Sequence, residues 1–430
     1  MQNHKDNFDV ENFLSHFFKG TKNPSLKTMK FFMEEFGHPE RNLKVIHIAG
    51  TNGKGSCAEM MSNILINAGY KVGKFIGPHL EKYNERISIQ NENIKDDEMA
   101  DLILKIQPKI NKFNKENEMK VTLFELLTTM AILYFYENNC DFVVLETGLG
   151  GLYDCTNVVN PIVSIITSIG YDHMHILGNS LVEIARQKAG IIKENSQTVF
   201  ALSENKDVNK IIKETCLDKN NELHVVDKNN IKNYSYNQEF QKFDYKEYKD
   251  ILINLKGEKQ ILNSCICIEC VETLRKLEYC ISDEAIRNGL KTVIHKGRFE
   301  IINQNPLMIF DGAHNKPAID NFINSVKMYY ENEKKVFVVS ILKTKDYEMI
   351  LKEILKTENS IFIFTSGNDE NKFVKKEILL EIAKQYTSNK NIYTMELKDV
   401  IEFIKEEYSN CVSFFVGSFY VYGDIHKKVK

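Results

Sequence analysis

The segment GTNGKGS, Gly50 to Ser56, gathers three glycines, a lysine and a terminal hydroxyl into one short run. Glycines let a backbone turn its N–H groups toward phosphate oxygens, and a following helix N-terminus adds a favourable field. Gly50, Thr51, Asn52, Gly53 and Gly55 would form such a cradle, Lys54 would supply a point charge, and Ser56 would offer a hydroxyl to magnesium. The spacing is shorter than GxxxxGK[ST], because Gly55 separates lysine from hydroxyl; a glycine turn without nucleotide is the plain alternative. DFVVLETGLGG places Glu146 at the carboxyl end of a buried strand, where an acid suits Mg2+ or hydrogen-bonds to loop N–H groups. ITSIGYDH presents Asp172 and His173 after another strand. Alone, His173 reads as an ordinary satisfied histidine; beside Glu146 and Ser56 it becomes a metal-ligand candidate. Lys188, in IARQKAGII, reads by spacing as a solvated helix lysine. DGAHN, Asp311 to Asn315, ends a later strand, with a helix cap by Asn315 as its equal alternative. Cys265, Cys267 and Cys270 form CxCxxC, but on a helix positions two apart diverge, so packing is preferred to metal binding.

These residues need strands and helices to hold them. Apolar spacing predicts two amphipathic helices within 9–36. A strand at 43–50 and a helix at 54–69 then bracket the glycine loop. Strands are predicted at 71–76, 141–146, 162–168 and 197–202, separated by helices at 96–111, 123–138 and 180–193. The Lys/Asn/Tyr-rich region 219–260 reads as an antiparallel addition. Helices at 260–277 and 282–292 follow. The alternation then restarts, with strands at 307–311, 335–342, 360–365, 391–395 and 411–417 and helices at 316–331, 346–356, 373–386 and 398–408. The expected fold class is α/β in two domains. Residues 1–297 form a P-loop-type domain with a mainly parallel, doubly wound sheet and a small antiparallel part; residues 298–430 form a smaller α/β domain.

Composition narrows the class of function. The chain has 430 residues, 43% apolar and 27% charged, enough for ordinary packed cores and against wholesale disorder. With 56 basic and 59 acidic residues the formal charge is -3, which points to small-molecule substrates and away from nucleic acid. Nine cysteines without paired spacing and a polar start, MQNHKDNFDV, fit the cytoplasm. The longest charge-free stretch, between Asp154 and Asp172, is broken by Asn157, Asn160 and Pro161, so no membrane span is expected.

In sequence order, HIAGTNGKGS, PHLEKYNERI, TLFE, ETGLGG, ITSIGYDH, IARQKAGIIK, GRFE, DGAHN and GSFYVYGDI resemble the patterns of the folylpolyglutamate synthase/dihydrofolate synthase family of the Mur ligase superfamily. The resemblance covers nearly the whole chain. It implies an ATP-binding N-terminal domain, a Rossmann-like C-terminal domain, an active site in the cleft between them, two Mg2+ ions and a monomer. The implied reaction adds L-glutamate to a folate or to dihydropteroate through an acyl phosphate. Carried over residue by residue, Gly53, Lys54 and Ser56 contact phosphate and magnesium, and Glu146 and His173 are magnesium ligands. Lys188 matches a lysine that relatives carbamylate. Asn263, Arg298 and Asp311 match ATP-contacting positions, with His314 in the same motif. Thr122, Leu123, Phe124 and Glu125, with Tyr153, Asp154 and Cys155, match the pteroate-binding region. Departures lie at Gly77, where serine is usual, at Leu152, where arginine is usual, at Met174 and His175, and at Thr344. Gly77, Leu152, Met174 and His175 keep open an amide ligase for a non-folate acid; a non-catalytic nucleotide-binding paralogue is a further alternative, against which Lys54, Glu146, His173, Lys188 and Arg298 argue.

Overall fold

The computed structural model describes residues 8–18, 25–367, 371–388 and 390–429. These fold into two compact units, one comprising residues up to 234 with 242–253 and 262–293, the other comprising 235–241, 254–261 and 294–430. The second unit therefore takes in two short segments that precede residue 298.

The first unit is built on eight strands: β1 (Val45–Ala49), β2 (Val72–Phe75), β3 (Ile87–Ile89), β4 (Glu92–Asn93), β5 (Phe142–Glu146), β6 (Val163–Ile166), β7 (Gln197–Ala201) and β8 (Glu222–Val226). Their order is β4-β3-β2-β5-β1-β6-β7-β8. β1, β2, β5 and β6 are buried along their whole length, as strands covered by helices on both faces must be. β1 pairs in parallel with both β5 and β6, and the order of connection reverses across it. Such a switch point opens a crevice at the carboxyl ends of the strands. Register brings Ile48 opposite Glu146 and Ala49 opposite Ile166, so the loops leaving β1, β5 and β6 start side by side.

Two features depart from the expectation for 219–260. β8 is parallel to β7 and closes the large sheet; only β9 (Ile231–Tyr236), β10 (Gln241–Tyr245) and β11 (Tyr248–Ile253) form the separate three-stranded sheet. As an edge strand, β8 buries only some of its side chains, so its polarity mimics an antiparallel strand. The helix Lys206–Asp218 and the short strands β3 and β4 were not foreseen.

The second unit has β12 (Glu300–Gln304), β13 (Leu307–Asp311), β14 (Lys335–Val339), β15 (Ser360–Phe364), β16 (Ile392–Thr394) and β17 (Val412–Val416) in the order β12-β13-β17-β14-β15-β16. All pairs are parallel except β12 with β13. Its core stacks Phe337 between Phe414, 5.3 Å away, and Phe362, 5.8 Å away. A C-terminal helix, Tyr422–Val429, adds to the elements foreseen.

The helix that follows the glycine loop, Lys54–Asn67, packs against Asp283–Lys291 at very short range. A Cβ on Gly289 would stand 2.6 Å from the Ile64 Cα and 2.8 Å from its N. Those are backbone atoms and cannot rotate away. Gly289→Val is expected to lower stability by about 1–3 kcal/mol through overpacking, read as a lower urea midpoint at unchanged m-value. An unchanged midpoint would contradict the close approach.

Candidate active site

The loop Gly50–Gly53 is fastened to the residues that follow β6. Thr51 N–H donates to the Ser168 carbonyl at 2.7 Å. The Thr51 hydroxyl donates to the Gly170 carbonyl at 3.0 Å and accepts from the Gly170 N–H at 2.9 Å. Asn52 N–H donates to the Ser168 hydroxyl, and the Asn52 carbonyl accepts from the hydroxyls of Thr167 and Ser168 at 2.7 and 2.9 Å. Thr167, Ser168 and Gly170 thus shape the loop, although sequence reasoning singled out only Asp172 and His173 in that motif; hydroxyls next to a strand end were the available signal. Gly53 has φ 89°, the left-handed region that favours glycine, and a Cβ there would also meet the Asn263 side-chain oxygen at 2.6 Å. Asn263, on the helix Glu258–Lys276, is buried against the loop.

Two lysines converge on one carbonyl. Lys54 Nζ donates to Gly50 O at 3.1 Å and lies 4.0 Å from Glu146 Oε1. Lys188 Nζ donates to the same Gly50 oxygen at 2.7 Å. Lys188 is buried, which corrects its reading as a solvated helix lysine: the helix Leu181–Ala189 turns that residue inward. Burial, and then the charge of Lys54, push its ammonium down to about 7; Asp172 and Asp154 oppose the shift. Glu146 is buried, and its Oε2 accepts from Gly77 N–H at 3.2 Å. Lys54 and Glu146 thus stand as an opposite-charge pair beside the loop.

His173 lies on the neighbouring turn. It has φ 49°, its side chain is 41% exposed, and Nε2 is 3.7 Å from Asp172 Oδ1. Among the described residues, no group of three or more His, Cys, Asp or Glu side chains is gathered to hold a metal ion. Magnesium asks for less than that: it takes one or two carboxylates, keeps waters and shares phosphate oxygens. Glu146 and Ser56, both buried oxygen donors, are the kind of ligands it takes.

The acceptor-region candidates form a second group of the same unit. Thr122 caps the helix Leu123–Glu137, and Glu125 Oε2 accepts from the Thr122 N–H and hydroxyl at 2.7 and 2.8 Å, a reciprocal cap. Phe124 stands 5.8 Å from Phe75, and Leu123 is buried. Asp154 is buried and Tyr153 half-exposed; burial raises the Cys155 thiol well above its ordinary value. A Cβ at Gly77 would meet Arg86 Nη1 at 2.8 Å, so the guanidinium occupies space beside the position where serine is usual. Leu152 is exposed. Cys265, Cys267 and Cys270 are buried with their thiols raised by burial, and Cys267 Sγ points to the Cys57 carbonyl at 3.7 Å; they are packing residues.

In the second unit, the Arg298 guanidinium lies 4.5 Å from the Phe419 ring centroid, and His314 meets the same ring edge-on at 5.9 Å. Phe419 was not foreseen, although its GSFY motif was. Asp311 accepts backbone N–H groups from Phe299 at 3.0 Å and Ala313 at 2.8 Å. Burial raises its pKa and Arg298 draws it back. Asn315 caps the helix Lys316–Tyr330 through Ala318 N–H, as its plain alternative held.

The Mur ligase middle domain matches residues 48–271, and the dihydrofolate synthetase C-terminal domain matches 296–428. The Bacillus subtilis dihydrofolate synthase/folylpolyglutamate synthase is 36% identical over 420 residues, 95% of each chain. This chain belongs to the folylpolyglutamate synthase/dihydrofolate synthase family. The crystal structure of Thermotoga maritima folylpolyglutamate synthase is 31% identical with a TM-score of 0.85, covering 98% of this chain and 96% of that one. Escherichia coli FolC in complex with DHPP and ADP is 25% identical with a TM-score of 0.83, covering 97% of this chain and 96% of that one. The two-unit α/β architecture is therefore the fold of the synthase family.

The buried lysine makes a pH signature. Lys188 binds its proton with an ordinary value of 10.5 when unfolded and about 7 when folded, so the unfolded state holds the extra proton between those values. Its unfavourable contribution is full below about 7 and fades as pH rises toward 10.5. In carbonate-free buffer, Lys188→Met should remove this dependence, so the stability of the parent chain relative to the variant rises from pH 7 to 10 in urea titrations. Parallel profiles would contradict an inward amine.

Proposed function

We propose that the protein is an ATP-dependent ligase that joins L-glutamate to a folate-type acceptor, either a reduced folate or dihydropteroate. The observation that carries this reading is the convergence of Lys54 and Lys188 on the Gly50 carbonyl, beside Glu146, at the switch point of the sheet. Family membership and the ADP and DHPP held by the related E. coli structure point the same way.

The chemistry needs this arrangement because an anionic carboxylate must approach an already anionic γ-phosphate. Lys54, at the start of its helix, offsets charge on the transferring group, and the loop N–H groups with the helix N-terminus hold the phosphates. Arg298, Asp311 and His314 are assigned to the nucleotide as well, and Asn263 to the loop that carries it. The acceptor carboxylate oxygen bonds to the γ-phosphorus as the bond to ADP breaks, giving an acyl phosphate. The glutamate amine then attacks the acyl carbon, phosphate leaves and the amine gives up a proton, which completes the amide. Thr122 to Glu125 and Tyr153 to Cys155 are assigned to the acceptor.

Glu146 and Ser56, with His173, are the residues assigned to Mg2+, which when bound would neutralise phosphate charge and align the displacement. We assign Lys188 as the lysine that becomes a carbamate. A buried amine near pKa 7 has far more of the neutral, CO2-reactive form at neutral pH than an ordinary lysine. A carbamate there would turn a buried cation into an anionic oxygen ligand.

The decisive assay mixes the chain with ATP, Mg2+ and L-glutamate, adds dihydropteroate or tetrahydrofolate, and measures ADP, phosphate and, by mass spectrometry, the glutamylated product. Release that depends on an acceptor is expected; none with either acceptor would overturn the reading. Lys188→Ala should lower kcat by about 100-fold or more with a smaller effect on nucleotide affinity, whereas Cys267→Ala should leave kcat unchanged. Equal losses in both would undo the role given to Lys188.

A further inference from the structure

His47 is fully buried in the middle of β1, three residues before the glycine loop, and no step above uses it. Its Nε2 lies 2.7 Å from the Thr156 hydroxyl oxygen, and that hydroxyl lies 2.6 Å from Asp154 Oδ1. Asp154 Oδ1 also accepts the Thr156 N–H at 3.1 Å, and Oδ2 accepts the Leu149 N–H at 2.7 Å. The carboxylate thereby ties the turn after Glu146 to the turn Cys155–Val158. Gly148, next in that turn, lies against the Phe124 ring so closely that a Cβ would stand 2.6 Å from it. A continuous chain of contacts thus runs from β1 to both groups of acceptor candidates.

The direction of the hydrogen bonds follows from counting protons. Thr156 has one hydroxyl proton and two neighbours. If an ionised Asp154 takes it, His47 must donate through Nε2–H, which leaves Nδ1 as a bare acceptor. If instead a protonated Asp154 donates, His47 must carry its proton on Nδ1. Nδ1 has no hydrogen-bond partner among the described residues, and a buried orphan donor is rarer than a buried orphan acceptor. Burial raises the Asp154 pKa, but the hydrogen bonds that its carboxylate accepts from Leu149 N–H and from the Thr156 hydroxyl and N–H oppose that shift, and with the orphan Nδ1 they favour the first arrangement. Burial, with the charge of Lys193, lowers the imidazole pKa to about 3, so the doubly protonated ring does not compete.

We propose that His47 is a positioning residue for the acceptor side of the ligase: its Nε2–H, relayed by Thr156, orients the ionised Asp154 and so fixes the Gly148–Leu149 turn against Phe124. The assignment rests on the folate-ligase reading for its effect on turnover, but the hydrogen-bond relay does not.

Two measurements on the full chain test it. Nitrogen-15 NMR without substrate should find His47 as the Nε2–H tautomer, and hydrogen exchange should find the Leu149 amide protected, with protection lost in Thr156→Val. The Nδ1–H tautomer, or unchanged protection, would overturn the relay whether or not folates are substrates. In turnover assays, His47→Leu and Thr156→Val should each raise KM for dihydropteroate about 10- to 100-fold while KM for ATP changes less than about twofold, as expected for losing a hydrogen bond to a charged group. The double variant should be no worse than Thr156→Val alone, and Thr156→Ser should restore the parent KM. Equal rises in both KM values, additive losses, or no rescue by serine would reduce His47 to a core residue. If His47→Leu fails to fold, Thr156→Val against Thr156→Ser decides by the same criteria.

Discussion

Two lysine side chains reaching the carbonyl oxygen of Gly50 set the terms for the rest of the N-terminal unit. Two full ammonium charges in so dry a place would repel each other and lose their hydration together. The structure resolves the conflict unequally. Lys54 keeps a carboxylate, Glu146, at 4.0 Å, whereas Lys188 is sunk deeper and its proton affinity falls. One residue is left facing a carboxylate and the other as an amine that can change its chemistry near neutral pH.

That division depends on the sheet. The register between β1, β5 and β6 delivers Gly50, Glu146 and the Thr167–Gly170 segment to one edge, and neutral hydrogen bonds from Thr167, Ser168 and Gly170 hold the loop in shape without adding charge. The helix behind the loop is fixed by close packing at Gly289 and by the cysteine-lined contact with the helix Glu258–Lys276. The charged groups can therefore be few, because backbone geometry does the positioning.

Much of this was readable from residue order. The mostly apolar five-residue strands β1, β5 and β17, interrupted only by His47, Glu146 and Ser413, and the glycine loop after β1 follow directly from local pattern. What was not readable arises where tertiary contact overrides local signal. Edge strand β8 is polar because one side meets solvent, so alternation alone misplaced it. Lys188 sits in an amphipathic helix whose period cannot say that a lysine faces inward. The service of Thr167, Ser168 and Phe419 depends on neighbours more than a hundred residues away in sequence. His47 was not singled out within the strand at 43–50, and only the fold brings Thr156 to its ring.

The most direct measurement of the central claim is a crystal structure of the full chain with Mg2+ and an ATP analogue whose β,γ-bridging oxygen is replaced by methylene. The expected result is a triphosphate cradled by the N–H groups of residues 53–56, with Lys54 Nζ turned from the Gly50 carbonyl to a phosphate oxygen. Nucleotide bound elsewhere, or Lys54 still on Gly50 with no phosphate at the loop, would contradict it.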